Sequence, residues 1–188
     1  GIVSIGLGAM YDNGAGAYKM FYNNNNKFST NRIFDVSKAG VFVGFEKSSE
    51  IFRNRIYNIT STCDGNGVGV AVGGEMRTGW FGYHNIDLFV SSNEISNISA
   101  VNNVYGIKVD QNYIEFVDKD EKFFFPNEDE SIKVVNNNIW GLVPNALTTN
   151  VFGILMTTER SVMNWSTMTL TPTKANYFTK NDFIANNT

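Results

Sequence analysis

The chain has 188 residues, 26 of them asparagine, with 3 prolines, 18 % charged residues and a net charge of −3. Its hydrophobic content of 43 %, with 15 phenylalanines and 8 tyrosines, is too much apolar surface for a disordered polar tract, so a folded single domain is expected. Fifteen scattered basic side chains and a pI near 5.2 exclude a nucleic-acid footprint, one cysteine excludes an internal disulfide, one histidine excludes a His-rich zinc site, and no apolar run is long enough for a helix to span a bilayer. Gly1 to Ala9 contain no basic segment of the signal-peptide kind, and the missing initiator Met points to a processed product or a piece of a longer chain.

In chain order, Gly6-Leu7-Gly8-Ala9 reads as a short strand, and the run Asn23 to Asn26 as a turn ahead of a strand at Phe28. From there the chain repeats, aligning on five triplets: Asn31-Arg32-Ile33, Asn54-Arg55-Ile56, Asn93-Glu94-Ile95, Asn137-Asn138-Ile139 and Asn181-Asp182-Phe183. Three residues before each asparagine stands an apolar residue (Phe28, Ile51, Val90, Val134, Phe178), and directly before it a polar one (Thr30, Arg53, Ser92, Asn136, Lys180). Five residues after it come Val36, Ile59, Ile98, Leu142 and then Asn186, where the pattern frays. A glycine with alternating apolar residues follows each of the first four triplets: Gly40-Val41-Phe42-Val43, Gly69-Val70-Ala71-Val72, Gly106-Ile107-Lys108-Val109 and Gly153-Ile154-Leu155-Met156. Period-2 alternation makes these strands.

Short recurring strands with no helical period between them describe passes of chain that stack on one another. Parallel strands lie about 4.7–4.9 Å apart, so a residue type repeated at one point of each pass becomes a column. An amide both donates and accepts, which lets an asparagine column bond along its own length, and asparagine tolerates the left-handed backbone of a sharp corner. The expected ladder is Asn31, Asn54, Asn93, Asn137 and Asn181, with the isoleucines beside it pointing inward. The expected fold is all-β, a parallel β-helix (solenoid) of about five rungs over residues 1–188, incomplete at both ends and with long insertions after the first-sheet strand.

The combination apolar-x-x-Asn-x-Ile followed by Gly-Ile-x-Val resembles the right-handed parallel β-helix repeats of the pectate-lyase-like superfamily, over residues 6–188. The resemblance implies that the glycine strands form the first sheet, the apolar strands before the asparagine the second, and the isoleucine strands the third. It further implies an extracellular or cell-surface protein with carbohydrate or a surface protein as partner, and flanking rungs of a longer chain, or a homotrimer, to cover the open ends. The superfamily includes polysaccharide lyases, hydrolases, phage tailspikes and adhesins, so it speaks for the fold more than for one activity.

In carbohydrate-active relatives the outward side chains of the first sheet and the loops beside it hold the site. Here the outward positions are Phe42, Ala71, Lys108 and Leu155, with Gly8 below them. No two are carboxylates, which counts against a glycosidase pair or a calcium-dependent lyase. A second column stands six residues after each glycine, at Asp12, Glu46, Glu75, Asn112 and Glu159. It reads either as ordinary acids in exposed turns or, with Glu46 and Glu75 one rung apart, as a place for calcium; Glu46, Glu75 and Glu159 are the candidate acids of an enzyme. No other cofactor is implied. The insertions carry Trp80, Tyr83, Tyr113 and Trp165, which with Lys108 are the candidate ligand-binding residues; they either stack on sugar rings or a partner, or fold down as a satellite core. Asp110 to Glu130 holds eight acidic and two basic residues and reads as a solvated face. Cys63 and His84 read as a small buried thiol and a loop histidine, the alternative being a Cys–His nucleophilic pair. The sequons at Asn58, Asn97 and Asn164 arise easily in so asparagine-rich a chain. The expected function is a binding or scaffold module with glycan as ligand, the alternatives being a polysaccharide lyase or hydrolase and a tailspike segment.

Overall fold

The computed structural model describes residues 1–12, 17–62, 65–77, 80–82, 84–117, 131–145, 150–164, 169–175 and 182–188. The described chain is all-β, and its three main sheets are built of parallel strands. The first sheet runs Ile2–Ile5, Ala39–Gly44, Gly67–Gly73, Asn103–Val117 and Asn150–Asn164, with Thr169–Ala175 antiparallel at its edge. The second runs Lys27–Ser29, Glu50–Phe52, Leu88–Ser91, Ile132–Val135 and Phe183–Ala185. The third runs Arg32–Val36, Arg55–Ser61, Glu94–Ala100 and Asn138–Pro144. Within each sheet the strands lie in chain order, so every pass visits first, second and third sheet in turn and pairs with the pass before it.

The repeated columns pair in register. Ile33, Ile56, Ile95 and Ile139 stand side by side in the third sheet, and Phe28, Ile51, Val90, Val134 and Ile184 in the second. Apart from Ile184, which is exposed at the end of the stack, they pack with Val41, Val70 and Ile107 of the first sheet in one cluster between the three sheets, with Phe28 and Ile139 partly buried at its margins. The glycine and isoleucine columns are two sides of a single contact: a Cβ on Gly106 would sit 2.5 Å from Ile139 Cγ2 and 2.5 Å from the Gly153 carbonyl oxygen, and Gly40 and Gly69 face Ile56 and Ile95 in the same way. A methyl there has nowhere to go.

The asparagine ladder runs through Asn31, Asn54, Asn93 and Asn137. Each amide oxygen past the first takes the backbone N–H and the side-chain amide of the asparagine one pass earlier, at 2.9–3.0 Å. Each amide group past the first also donates to a second-sheet carbonyl, such as Asn93 Nδ2 to the Ile51 oxygen at 3.0 Å. The next member is Asn187, whose Oδ1 accepts from Asn137 N and Nδ2 at 2.9 Å; Asn181 and Phe178 lie outside the described residues. Ile184 pairs with Val134, so the last pass is offset by six residues from the expected alignment, and Asn186, taken as a frayed end, is the residue that precedes the ladder. A start is also displaced: Ile2–Ile5 pairs with Val41–Gly44, so Val3 and not Gly8 lies below Phe42, while Gly8–Asp12 forms an antiparallel hairpin with Ala17–Phe21.

The left-handed corner does not fall on the ladder asparagine but on the residue before it: Thr30, Arg53, Ser92, Asn136 and Asn186 have φ between 53° and 56°. Threonine and arginine dislike that conformation, and the ladder bonds made by the next residue hold them in it. Asparagine serves a second bend four residues on, where Asp35, Asn58, Asn97 and Gly141 also have positive φ and Asn58 Nδ2 donates to Asp35 Oδ1 at 3.1 Å. A further amide column, Asn66, Asn103 and Asn150, bonds at 3.0–3.1 Å where the chain enters the first sheet.

Candidate functional site

Glu46 lies inside the stack, fully buried, and not in an exposed turn. Phe45 takes a positive φ of 52° and swings the next side chain inward. There its Oε1 accepts from the Ser4 hydroxyl at 2.5 Å and Asn23 Nδ2 at 3.2 Å, and its Oε2 from the Ser49 hydroxyl at 2.7 Å and Asn26 Nδ2 at 3.0 Å. Four neutral donors thus occupy both carboxyl oxygens. Its neighbour in the next pass is Asn85, whose Oδ1 accepts the Glu46 N–H at 3.0 Å, and Asn85 N–H in turn donates to Gln111 Oε1 at 2.9 Å.

Glu75 is therefore not one rung from Glu46. Gly73 and Gly74, both left-handed with φ of 78° and 75°, turn the chain out of the first sheet, and Glu75–Arg77 pairs antiparallel with Trp80–Phe81 before the stack resumes. Glu159 pairs with Asn112 in the long first-sheet strands, and its Oε1 accepts from the Ser161 hydroxyl at 2.6 Å. The acidic residues six after each glycine thus do not form one edge. Among the described residues no three His, Cys, Asp or Glu side chains come together as a metal site. His84 is fully buried with the Tyr22 ring edge-on at 5.9 Å, and loss of water around it lowers its pKa to about 4. Cys63 lies outside the described residues.

The outer face of the first sheet is a second apolar layer. Phe42 and Ala71 have 1 % and 0 % of their surface exposed and cluster with Val68 and Tyr105. Lys108, beside Ala71 in register, ion-pairs with Asp110 at 2.8 Å and lies 5.7 Å from the Tyr105 ring centre; that ring stacks on Phe152 at 5.4 Å. Its charge is thus engaged within the chain. Tyr113 lies in the Asn103–Val117 strand, which continues beside Asn150–Asn164 as an extension of the sheet where an insertion loop was expected, and Trp80 lies in the Trp80–Phe81 strand; Tyr83 and Trp165 lie outside the described residues.

The third sheet carries an exposed surface that the sequence reading passed over. Its outward positions are the first and third residues after each ladder asparagine, giving the columns Arg32, Arg55, Glu94, Asn138 and Phe34, Tyr57, Ser96, Trp140. Phe34 is 47 % and Trp140 44 % exposed. Phe34 and Tyr57 stack with ring centres 5.4 Å apart and planes 10° from parallel. The guanidinium of Arg32 lies 5.4 Å from the Phe34 ring centre, and its Nε donates to the Tyr57 hydroxyl at 2.7 Å. The signal was in the same alignment, in the alternate positions of Asn-Arg-Ile-Phe, Asn-Arg-Ile-Tyr and Asn-Asn-Ile-Trp. No protein-family model matches the chain, and neither a curated protein nor a solved structure matches it.

Proposed function

We propose that the three sheets wind as a right-handed parallel β-helix of about five rungs, akin to the pectate-lyase-like superfamily, and that the protein acts at or outside the cell surface as a stiff glycan-binding module. The observation that carries this reading is the exposed aromatic column of the third sheet. Phe34 and Tyr57 there are one strand apart, about 4.8 Å, close to the rise of one pyranose along an extended glycan, and Trp140 stands two strands beyond Tyr57, past Ser96, so that the stacked pair and the single ring give aromatic contacts for the C–H groups of separate sugars. The amide ladders behind the column hold its spacing. The sealed apolar outer face of the first sheet, and the enclosed Glu46, speak for binding over catalysis.

Affinity electrophoresis through gels containing a panel of neutral and charged polysaccharides tests the reading. At least one polysaccharide is expected to retard the protein, and the Tyr57→Ala/Trp140→Ala variant to bind it about tenfold more weakly. A wild type retarded by none, or a variant retarded as strongly as wild type, overturns the reading. Turnover of any member of the panel replaces it with an enzyme. Sedimentation at a mass near 21.0 kDa is expected, whereas three times that mass favours a spike-like trimer.

A further inference from the structure

Arg32 and Arg55 stand directly opposite each other on neighbouring parallel strands. Like charges so placed repel. Both converge on one ring, the guanidinium carbons lying 5.5 Å and 5.6 Å from the Tyr57 centre. Arg53, exposed at the corner leading into the same strand, lies instead over the Phe52 ring, 4.6 Å from its centre. Among the described residues Arg32 and Arg53 form no ion pair, and Arg55 meets only Glu94, at 3.6 Å, with both side chains more than half exposed and the pair screened by water. A chain of net charge −3 thus holds a pair of adjacent arginines beside the exposed Phe34 and the half-buried Tyr57.

We infer that Arg32 and Arg55, held together by Tyr57, bind a sulfate ester carried on a glycan, the two guanidinium groups taking the ester oxygens. The inference rests on the glycan reading above and names the chemistry of its ligand. A tetrahedral ester presents three terminal oxygens and bridges two guanidinium groups about one strand spacing apart, whereas a planar carboxylate matches the fork of one. A polynucleotide calls for a longer basic track than two arginines in a net-negative chain provide.

Dextran sulfate, carboxymethyl-dextran and unmodified dextran share a backbone and differ only in the attached group, which makes them the ligands of choice for a binding titration. Dextran sulfate is expected to bind at least tenfold more tightly than the other two. Arg32→Gln and Arg55→Gln are each expected to weaken it about tenfold. Both arginines are exposed, so the unfolding temperature of the variants should match wild type. Lys47→Gln, away from the patch, should bind as wild type. Equal affinity for carboxymethyl-dextran, equal loss in Lys47→Gln, or polyadenylate bound as tightly as dextran sulfate overturns the inference and leaves the glycan reading standing. So does failure to bind dextran sulfate while another polysaccharide still binds. Failure to bind any polysaccharide overturns both.

Discussion

Asn93 is the middle of the ladder, and its replacement by alanine removes four hydrogen bonds at once. Asn93 is 1 % exposed. Its Oδ1 accepts the Asn54 backbone N–H and Nδ2, both at 3.0 Å, while its Nδ2 donates to the Ile51 carbonyl at 3.0 Å and to Asn137 Oδ1 at 2.9 Å. In Asn93→Ala, Asn54 Nδ2 keeps the Phe28 carbonyl and Asn137 Oδ1 keeps the Asn93 N–H, but the Asn54 N–H and the Ile51 carbonyl lose these partners inside the stack, where water does not replace them. Each orphaned buried group costs about 1–3 kcal/mol, so the variant is expected to lose about 4 kcal/mol, a large part of the stability of an ordinary domain. Asn31→Ala is the internal control. Asn31 sits at the end of the ladder, partly exposed, and its side chain makes only the Nδ2 bond to Asn54 Oδ1, while Asn54 Oδ1 still accepts Asn31 N. That loss is expected to cost about 1 kcal/mol. Urea unfolding followed by circular dichroism, with the slope unchanged among variants, measures both. Costs within about 1 kcal/mol of each other would refute the claim that the ladder acts by satisfying buried backbone groups.

Asn93→Asp keeps the shape but puts an oxygen where Nδ2 donated, so its stability relative to wild type is expected to recover as pH falls and the acid gains a proton to donate. Glu46→Gln sets an amide N–H₂ against donors from Ser4 and Asn23 or Ser49 and Asn26; about 2 kcal/mol of stability should be lost in urea unfolding with polysaccharide retention unchanged, and a loss of retention without a loss of stability would contradict the structural role. His84 has its folded pKa lowered from 6.5 to about 4, so below pH 6.5 the unfolded chain takes up a proton that the folded chain does not. Stability should therefore fall as pH drops from 6.5 towards 4, by about 3 kcal/mol at about 1.4 kcal/mol per pH unit, and His84→Gln should flatten that dependence; an unchanged slope in the variant counts against the buried neutral imidazole.

The columns at the heart of each pass were legible because they obey local rules. Ile33, Ile56, Ile95 and Ile139 pair as aligned, as do the first four ladder asparagines, since a stack of parallel strands repeats its environment at every pass. The ends were not. Asn187 holds the ladder place expected of Asn181, and Ile2–Ile5 replaces the strand expected at Gly6, because intervening segments of variable length change the residue number without changing the register of the pairing. Which side of the backbone faces inward at a corner was also hidden. One left-handed residue inverts the alternation, and at Phe45 it carries Glu46 from the surface to the interior.

Composition and spacing alone determined that this asparagine-rich, charge-poor chain folds into stacked strands with an amide ladder, because hydrogen-bonding columns and glycine–isoleucine contacts are written as repeats. The tertiary structure decided where the repeats begin and end, that the asparagines serve a ladder, a bend, a second amide column and the cage around Glu46, and which face stays open. Pairing between passes is settled by burial across three sheets at once, and that sum over distant segments has no local signature. The same packing buried Phe42, Val68, Ala71 and Tyr105 on the outer face of the first sheet and left Phe34 and Trp140 exposed on the outside of the third, with Arg32 and Arg55 beside Tyr57.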